Sequence, residues 1–203
     1  MSATTLIASA VLPTDFQPRN RRWTRNEYYR AYEMGLFGPT EKLELIRGEV
    51  KEKMPQGPRH ASAISLVQEA LLLPARLAGT FVRCQLPIAI GADSDPEPDF
   101  AVVHGTVRDY QQAHPWAADT LLVGEVSDST LAYDRSEKAR LYAEAGISEY
   151  WLLNVATGYL EVRRDPEEGE YRSLQTLRVN ASIAPLFAPD VRIPVADLLP
   201  QDI

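Results

Sequence analysis

Two carboxylates and one lysine, far apart along the chain, are placed where they could act together. Glu125 directly follows the apolar run LLVG, which is typical of a buried strand, and Asp99 opens the strand-like segment DFAVV. Lys138 lies in the helical segment DRSEKARLYAEAG, on the same apolar stripe as Leu141 and Tyr142. Burying an unpaired charge is costly, so each of these groups needs water, a cation or an oppositely charged partner.

The alternation of side chains along a strand predicts how the two acids meet. Glu125 shares one face of its strand with Val123 and Ser127. Pro98 can open a strand but cannot lie within its ladder, which places Asp99 at the strand's entrance. If the two strands are antiparallel neighbours, the carboxylates converge. Two close carboxylates repel each other unless a cation lies between them, and oxygen ligands suit hard ions, so this pair predicts a Mg²⁺ or Mn²⁺ site.

Lys138 has two interpretations. Its helix starts just after the strand of Glu125, near the carboxyl end where open α/β sheets usually build their sites, so Lys138 can point at both acids. Alternatively, its long side chain passes along apolar surface and pairs with Glu125, which would only stabilise the fold.

The surrounding segments predict a mixed α/β (α+β) fold, with a sheet flanked by helices and further antiparallel hairpins. The strand, helix, strand order from Asp119 to Asn154 predicts one parallel crossover. The dipeptide Arg47-Gly48 predicts the turn of a hairpin. Three longer helices are predicted: Thr24 to Gly35, Pro58 to about Ala78, and one from a cap at Asp134, with Glu137 at the capping-box position, to a terminator at Gly146. A further small helix is predicted in the C-terminal tail.

Length and composition favour a flexible N-terminal arm over residues 1–20 and a single domain over residues 21–203. The net charge of −7 argues against general nucleic-acid binding, although a local basic groove stays open. No apolar run approaches the roughly 20 residues of a membrane helix, and the start lacks a basic leader, so no membrane association is expected. Cys84, the single cysteine, is expected to be a buried filler in a cytoplasmic protein.

Three stretches resemble the Uma-type restriction endonuclease family of the PD-(D/E)xK nuclease superfamily: LELIRGEV, EPDFAVV and LLVGEVSDSTLAYDRSEKARLYAEAGISEYWLLN. The resemblance runs from about Trp23 to Leu199. It implies a restriction-endonuclease-like mixed sheet flanked by helices. It also implies hydrolysis of phosphodiester bonds in DNA, with acids that bind Mg²⁺ and a lysine that positions or polarises the attacking water.

Transferred by position, this resemblance makes Asp99 the acid of the first motif and Glu125 the acid of the second. Ser127 stands where the lysine of the second motif is expected. Lys138 matches the place on the following helix to which the family's lysine is displaced. Gly124 stands where a bulkier apolar residue is commoner in the family, which predicts looser packing beside the acid.

Glu44 and His60 are additional candidates. Glu44, on the first hairpin strand, is either a further metal ligand or water-orienting group, or a solvated strand glutamate. His60 resembles a histidine frequent in the family and is either a structural, hydrogen-bonded histidine or a catalytic one. His104 and His114 are expected to be solvated loop residues.

The sequence therefore leaves two functions open. The first is a metal-dependent endonuclease that uses Asp99, Glu125 and Lys138. The second is a catalytically degenerate nuclease fold that serves as a dimeric interaction module, which the acidic net charge and Ser127 favour. A homodimer is expected, since a small acidic domain needs more surface to grip a duplex.

Overall fold

The computed structural model describes residues 20–201, so the predicted N-terminal arm lies outside the described residues except for Asn20. A π-helical turn occupies Asp134–Lys138, and short 3₁₀ turns occupy Val107–Tyr110, Ala117–Asp119 and Val195–Leu198. In chain order, the helices and strands are α1 (Arg25–Glu33), β1 (Leu43–Ile46), β2 (Glu49–Glu52), α2 (Pro58–Leu77), β3 (Thr80–Cys84), β4 (Phe100–His104), β5 (Thr120–Ser127), α3 (Leu131–Tyr133), α4 (Ala139–Glu144), β6 (Glu149–Asn154), β7 (Tyr159–Glu167), β8 (Glu170–Arg178), β9 (Ser182–Ile183) and β10 (Ile193–Pro194).

A six-stranded mixed sheet forms the centre, in the order β3-β4-β5-β6-β7-β8. Strands β5 and β6 pair in parallel, and every other neighbouring pair in this sheet is antiparallel. The helical run α3–α4 makes the crossover between β5 and β6, which a parallel pair requires. The predicted mixed sheet with one parallel crossover is therefore confirmed.

Both faces of the sheet are covered. One face packs against α2 and the C-terminal segment, with Phe100, Leu122 and Trp151 in its core. The other face packs against α4, with Val123 and Tyr150 in its core. The alternation along β5 is thus as predicted, and Glu125 points to the same side as Val123. Within residues 20–201, no helix is both long and apolar enough to cross a membrane.

The β1–β2 hairpin turns at the predicted dipeptide. Arg47 has a φ of 50° and Gly48 a φ of 74°, and the tight turn that joins two strands in this way needs positive φ at both central residues. Helix α1 is capped by Thr24 through the predicted capping box. Tyr28 of α1 packs with Leu43 and Leu45 of the hairpin in a small apolar cluster, so α1 holds the hairpin in place.

The predicted helix cap at Asp134 is wrong. The helical run begins at Leu131, and Asp134 has helical dihedrals inside it. Its carboxylate accepts a hydrogen bond from Thr130 Oγ1 at 2.5 Å, one turn earlier. An aspartate that bonds to the preceding turn resembles a cap in sequence, because the same residue types serve both purposes. The predicted terminator Gly146 is confirmed by its φ of +75°.

Two further expectations are corrected by packing. The Phe100 ring lies over Gly124 so closely that a Cβ there would lie 1.9 Å from Phe100 Cζ. The space beside the acid is therefore filled, and packing there is tight instead of loose. His114 is half-buried, and its ring stacks on Tyr29 with 6.1 Å between ring centroids, so it is not a solvated loop residue.

Candidate active site

The antiparallel pairing of β4 and β5 brings the entrance of one strand to the end of the other. Phe100 lies opposite Gly124 in this register. The carboxylate of Asp99, just before β4, accepts a hydrogen bond from the Val126 amide at 2.8 Å. Asp99 is therefore held against the residue that follows Glu125, and both acids line one cavity.

Lys138 lies between two buried glutamates. Its ammonium donates to Glu44 Oε2 at 2.6 Å and to Glu125 Oε1 at 3.2 Å. Glu44 also accepts the Glu97 amide at 3.1 Å. Glu44 is only 5% exposed, so its interpretation as a solvated strand glutamate is wrong. Strand β1 thus contributes a third carboxylate to the group.

The π-helical turn sets where Lys138 points. Ala139 donates its amide to the Asp134 carbonyl, one residue farther back than in an α-helix. The Tyr150 hydroxyl donates to the same carbonyl at 3.0 Å. This insertion rotates the residues that follow it relative to α3. Lys138 is the last residue of this turn. The turn therefore sets the direction in which the lysine side chain leaves the helix toward the sheet.

Tyr142 belongs to this site, although its helical spacing predicted only a place on the apolar stripe. Its hydroxyl donates to Glu125 Oε1 at 2.7 Å, so both hydrogen bonds to the Glu125 carboxylate end on one oxygen. The sequence contains a signal for this role, since Tyr142 lies one helical turn after Lys138 and residues at that spacing share a face. Asp134, 5% exposed and lining the same cavity, was likewise missed because it was interpreted as a cap.

His60, in the first turn of α2, faces Asp99. Its Nε2 lies 3.1 Å from Asp99 Oδ1, although the ring N–H is not aligned for a hydrogen bond. Burial lowers the pKa of His60, but the carboxylates of Asp99 and Glu125 outweigh that effect and raise it above its ordinary value. This placement agrees with a histidine that supports the position of Asp99.

Buried negative charge exceeds buried positive charge at this site. Burial raises the pKa of Glu125 to about 7, and the neighbouring acids Asp99, Asp134 and Glu44 add to the rise while Lys138 opposes it. Burial disfavours the ammonium of Lys138, but Glu125 and Glu44 outweigh this and raise its pKa above the ordinary lysine value. The lysine is therefore a permanent cation and a hydrogen-bond donor.

The acids and the lysine line a cavity of about 280 Å³ that opens between the β1–β2 hairpin, the start of α2 and the loop after β5. Within residues 20–201, no group of three or more His, Cys, Asp or Glu side chains is arranged to hold a metal ion. Mg²⁺, however, usually takes one or two protein carboxylates and completes its shell with waters and substrate phosphates. The oxygen donors of Asp99 and Glu125, in surroundings rich in negative charge, fit such a hard cation.

Comparison with known proteins decides the family. The Uma2 family model, described as "Putative restriction endonuclease", matches residues 25–196. The chain belongs to the Uma2 family. The predicted family is therefore confirmed, and all five candidate site residues lie inside the matched region.

This Uma2 chain is also similar to a solved structure, the crystal structure of a "putative nuclease belonging to DUF820" from Anabaena variabilis ATCC 29413. The two share 17% sequence identity with a TM-score of 0.65, over 86% of this chain and 96% of the other. At this identity the similarity shows a common fold. None of the curated proteins matches the chain.

Proposed function

We propose that this Uma2 protein is a metal-dependent endonuclease that hydrolyses phosphodiester bonds in DNA. The single observation that carries the proposal is the convergence of Lys138, Glu125 and Asp99 on one cavity, from three separate elements. Membership of a restriction endonuclease family and a nuclease fold support the same conclusion.

Asp99 and Glu125 are the residues that we expect to hold Mg²⁺ or Mn²⁺. When bound, a divalent ion neutralises charge on the scissile phosphate and lowers the pKa of a coordinated water. Asp99 is oriented for this by the Val126 amide and His60, and Glu125 by Tyr142 and Lys138. Each carboxylate therefore has its position set before any ligand arrives.

Lys138 then acts as a donor. Held as an ammonium by Glu44 and Glu125, it can donate to the attacking water or to a phosphate oxygen, where it stabilises developing negative charge. It does not serve as a base, because two carboxylates favour its charged form. Glu44 fixes the amine within reach of the cavity, so we assign Glu44 a positioning role.

A second function, the catalytically degenerate interaction module, is supported by two observations. Ser127 replaces the lysine of the second motif and is fully buried, and Lys138 already has two carboxylate partners in ion pairs. In this interpretation the ion pairs serve only the fold, and the cavity binds no metal.

The decisive experiment measures nicking of plasmid DNA, and cleavage of single-stranded DNA and RNA, with Mn²⁺ or Mg²⁺. Wild type is compared with Asp99→Asn, Glu125→Gln and Lys138→Met. Glu149→Gln is the matched control, because Glu149 is a fully buried glutamate, paired with Arg164, that does not line the cavity. We expect cleavage by wild type and the control, and its loss in the three site variants.

Calorimetric titration with Mn²⁺ gives a readout that does not depend on activity. Asp99→Asn and Glu125→Gln should weaken Mn²⁺ binding, whereas Glu149→Gln should not. A folded wild type that neither binds Mn²⁺ nor cleaves any of the nucleic acids would reject the endonuclease and favour the interaction module.

A further inference from the structure

The outward face of α2 carries apolar side chains that nothing in the described chain covers. Leu72, Leu73 and Leu77 are 58%, 63% and 75% exposed. The opposite face of the same helix is buried against the sheet through Val67, Leu71 and others. Adjacent exposed leucines on one helix face are typical of an interaction surface, since single exposed apolar residues are common but grouped ones are not.

Two charged residues flank these leucines in a symmetric way. Glu69 and Arg76 are both exposed, and neither forms an ion pair within residues 20–201. Glu69 lies three residues before Leu72, and Arg76 lies three residues after Leu73. In both directions from the midpoint between Leu72 and Leu73, a leucine is followed three residues farther on by a charged residue. The charge is negative on the N-terminal side and positive on the C-terminal side.

Such a pattern is complementary to itself in antiparallel orientation. In an isologous contact, the same patch of two subunits meets around a two-fold axis. With the axis between Leu72 and Leu73, Leu72 of one copy faces the partner's Leu73, and Glu69 faces the partner's Arg76. The two-fold operation repeats each contact, so the pair has a leucine centre and an ion pair at each side.

We propose that the protein forms a homodimer in which the C-terminal halves of two α2 helices pack antiparallel around Leu72 and Leu73. The paired segment from Gln68 to Leu77 is about 15 Å long, since a helix rises about 1.5 Å per residue. A contact of this size is smaller than a standard stable interface, so the dimer is expected to dissociate on dilution. His60 and the cavity lie at the other end of α2, so this pairing leaves the candidate active site open.

Sedimentation velocity over a concentration series, from low micromolar to near millimolar, measures the dimer directly. Wild type should shift from monomer to dimer, and Leu72→Glu should stay monomeric. Leu36→Glu is the matched control, because Leu36 is a leucine of similar exposure, 66%, that lies outside α2, between α1 and β1. It should dimerise like wild type. Circular dichroism verifies that each variant is folded.

Charge reversal tests the orientation. Glu69→Arg alone and Arg76→Glu alone each place like charges opposite one another at both sides of the axis, and each should weaken dimerisation about tenfold. A mixture of these two variants restores both ion pairs and should form a heterodimer, as should the doubly reversed chain with itself.

A wild type that stays monomeric throughout would overturn the proposal, because something other than a second copy would then cover this face. A dimer that is insensitive to Leu72→Glu, or single reversals whose mixture does not recover association, would overturn it as well. None of these outcomes depends on nuclease activity.

Discussion

Removing the Lys138 ammonium should expose how strongly the buried acids depend on it. In Lys138→Met, Glu44 and Glu125 lose the donor that lies 2.6 and 3.2 Å from their oxygens. At an effective dielectric constant of about 20, each contact represents about 5 to 6 kcal/mol of gross Coulomb attraction. The substitution also removes the desolvation penalty of the buried ammonium, which offsets much of this sum. The expected net loss is about 3 to 5 kcal/mol of unfolding free energy, a large part of the roughly 5 to 15 kcal/mol of a typical domain.

The loss should also depend on pH. Without the ammonium, the pKa of Glu125 in the folded state rises further above its ordinary value of 4.5. The folded variant then takes up a proton that the unfolded chain does not bind, so stability returns as the pH falls through the folded-state pKa. Lys138→Met should therefore be more destabilised at pH 8 than at pH 5.5.

Urea unfolding at both pH values measures these effects. Lys51→Met is the matched control, because Lys51 is 42% exposed at its side chain and pairs with Glu49 on the surface, and such pairs contribute at most about 1 kcal/mol. Adding Glu125→Gln to Lys138→Met should recover part of the loss. A loss for Lys138→Met no larger than that of the control would refute the conclusion that this ion-pair cluster is buried and interdependent.

Three further substitutions address other contacts. Tyr142→Phe removes the hydroxyl that donates to Glu125 at 2.7 Å and should cost about 1.5 to 3 kcal/mol in urea unfolding; a change below a few tenths would show that this bond contributes nothing. Gly124→Ala places a Cβ into the Phe100 ring and should cost about 1 to 3 kcal/mol, part of which Phe100→Leu should recover; unchanged stability would mean that the ring moves freely. Burial lowers the pKa of His114 below its ordinary 6.5; the charges of Arg83 and Arg25 add to this effect and Asp95 opposes it. The folded chain therefore binds fewer protons than the unfolded chain, and stability falls as the pH drops through about 6.5. His114→Gln should reduce this loss between pH 7.5 and 5.5, and an identical pH profile in both proteins would contradict it.

Much of the local structure was predictable because its signals are short-range. The hairpin turn at Arg47-Gly48, the capping box at Thr24 and the terminator at Gly146 each depend on residues within a few positions of one another. The false cap at Asp134 shows the limit of such signals. A side chain that bonds to the preceding turn and one that caps a helix have the same sequence pattern, and only the position of Thr130 distinguishes them.

The sequence by itself determined the family, the strand and helix periodicities, and the face of β5 on which Glu125 lies. It also placed Lys138 and Tyr142 on one stripe, since helical spacing is a local property. Tertiary structure alone decided that Glu44 is buried against Lys138, that the Phe100 ring fills the space over Gly124, and that His60 faces Asp99. The physical reason is that the pairing order of strands and the packing of helices depend on burial summed over the whole chain. Contacts between residues tens of positions apart are therefore set by that sum and not by local spacing.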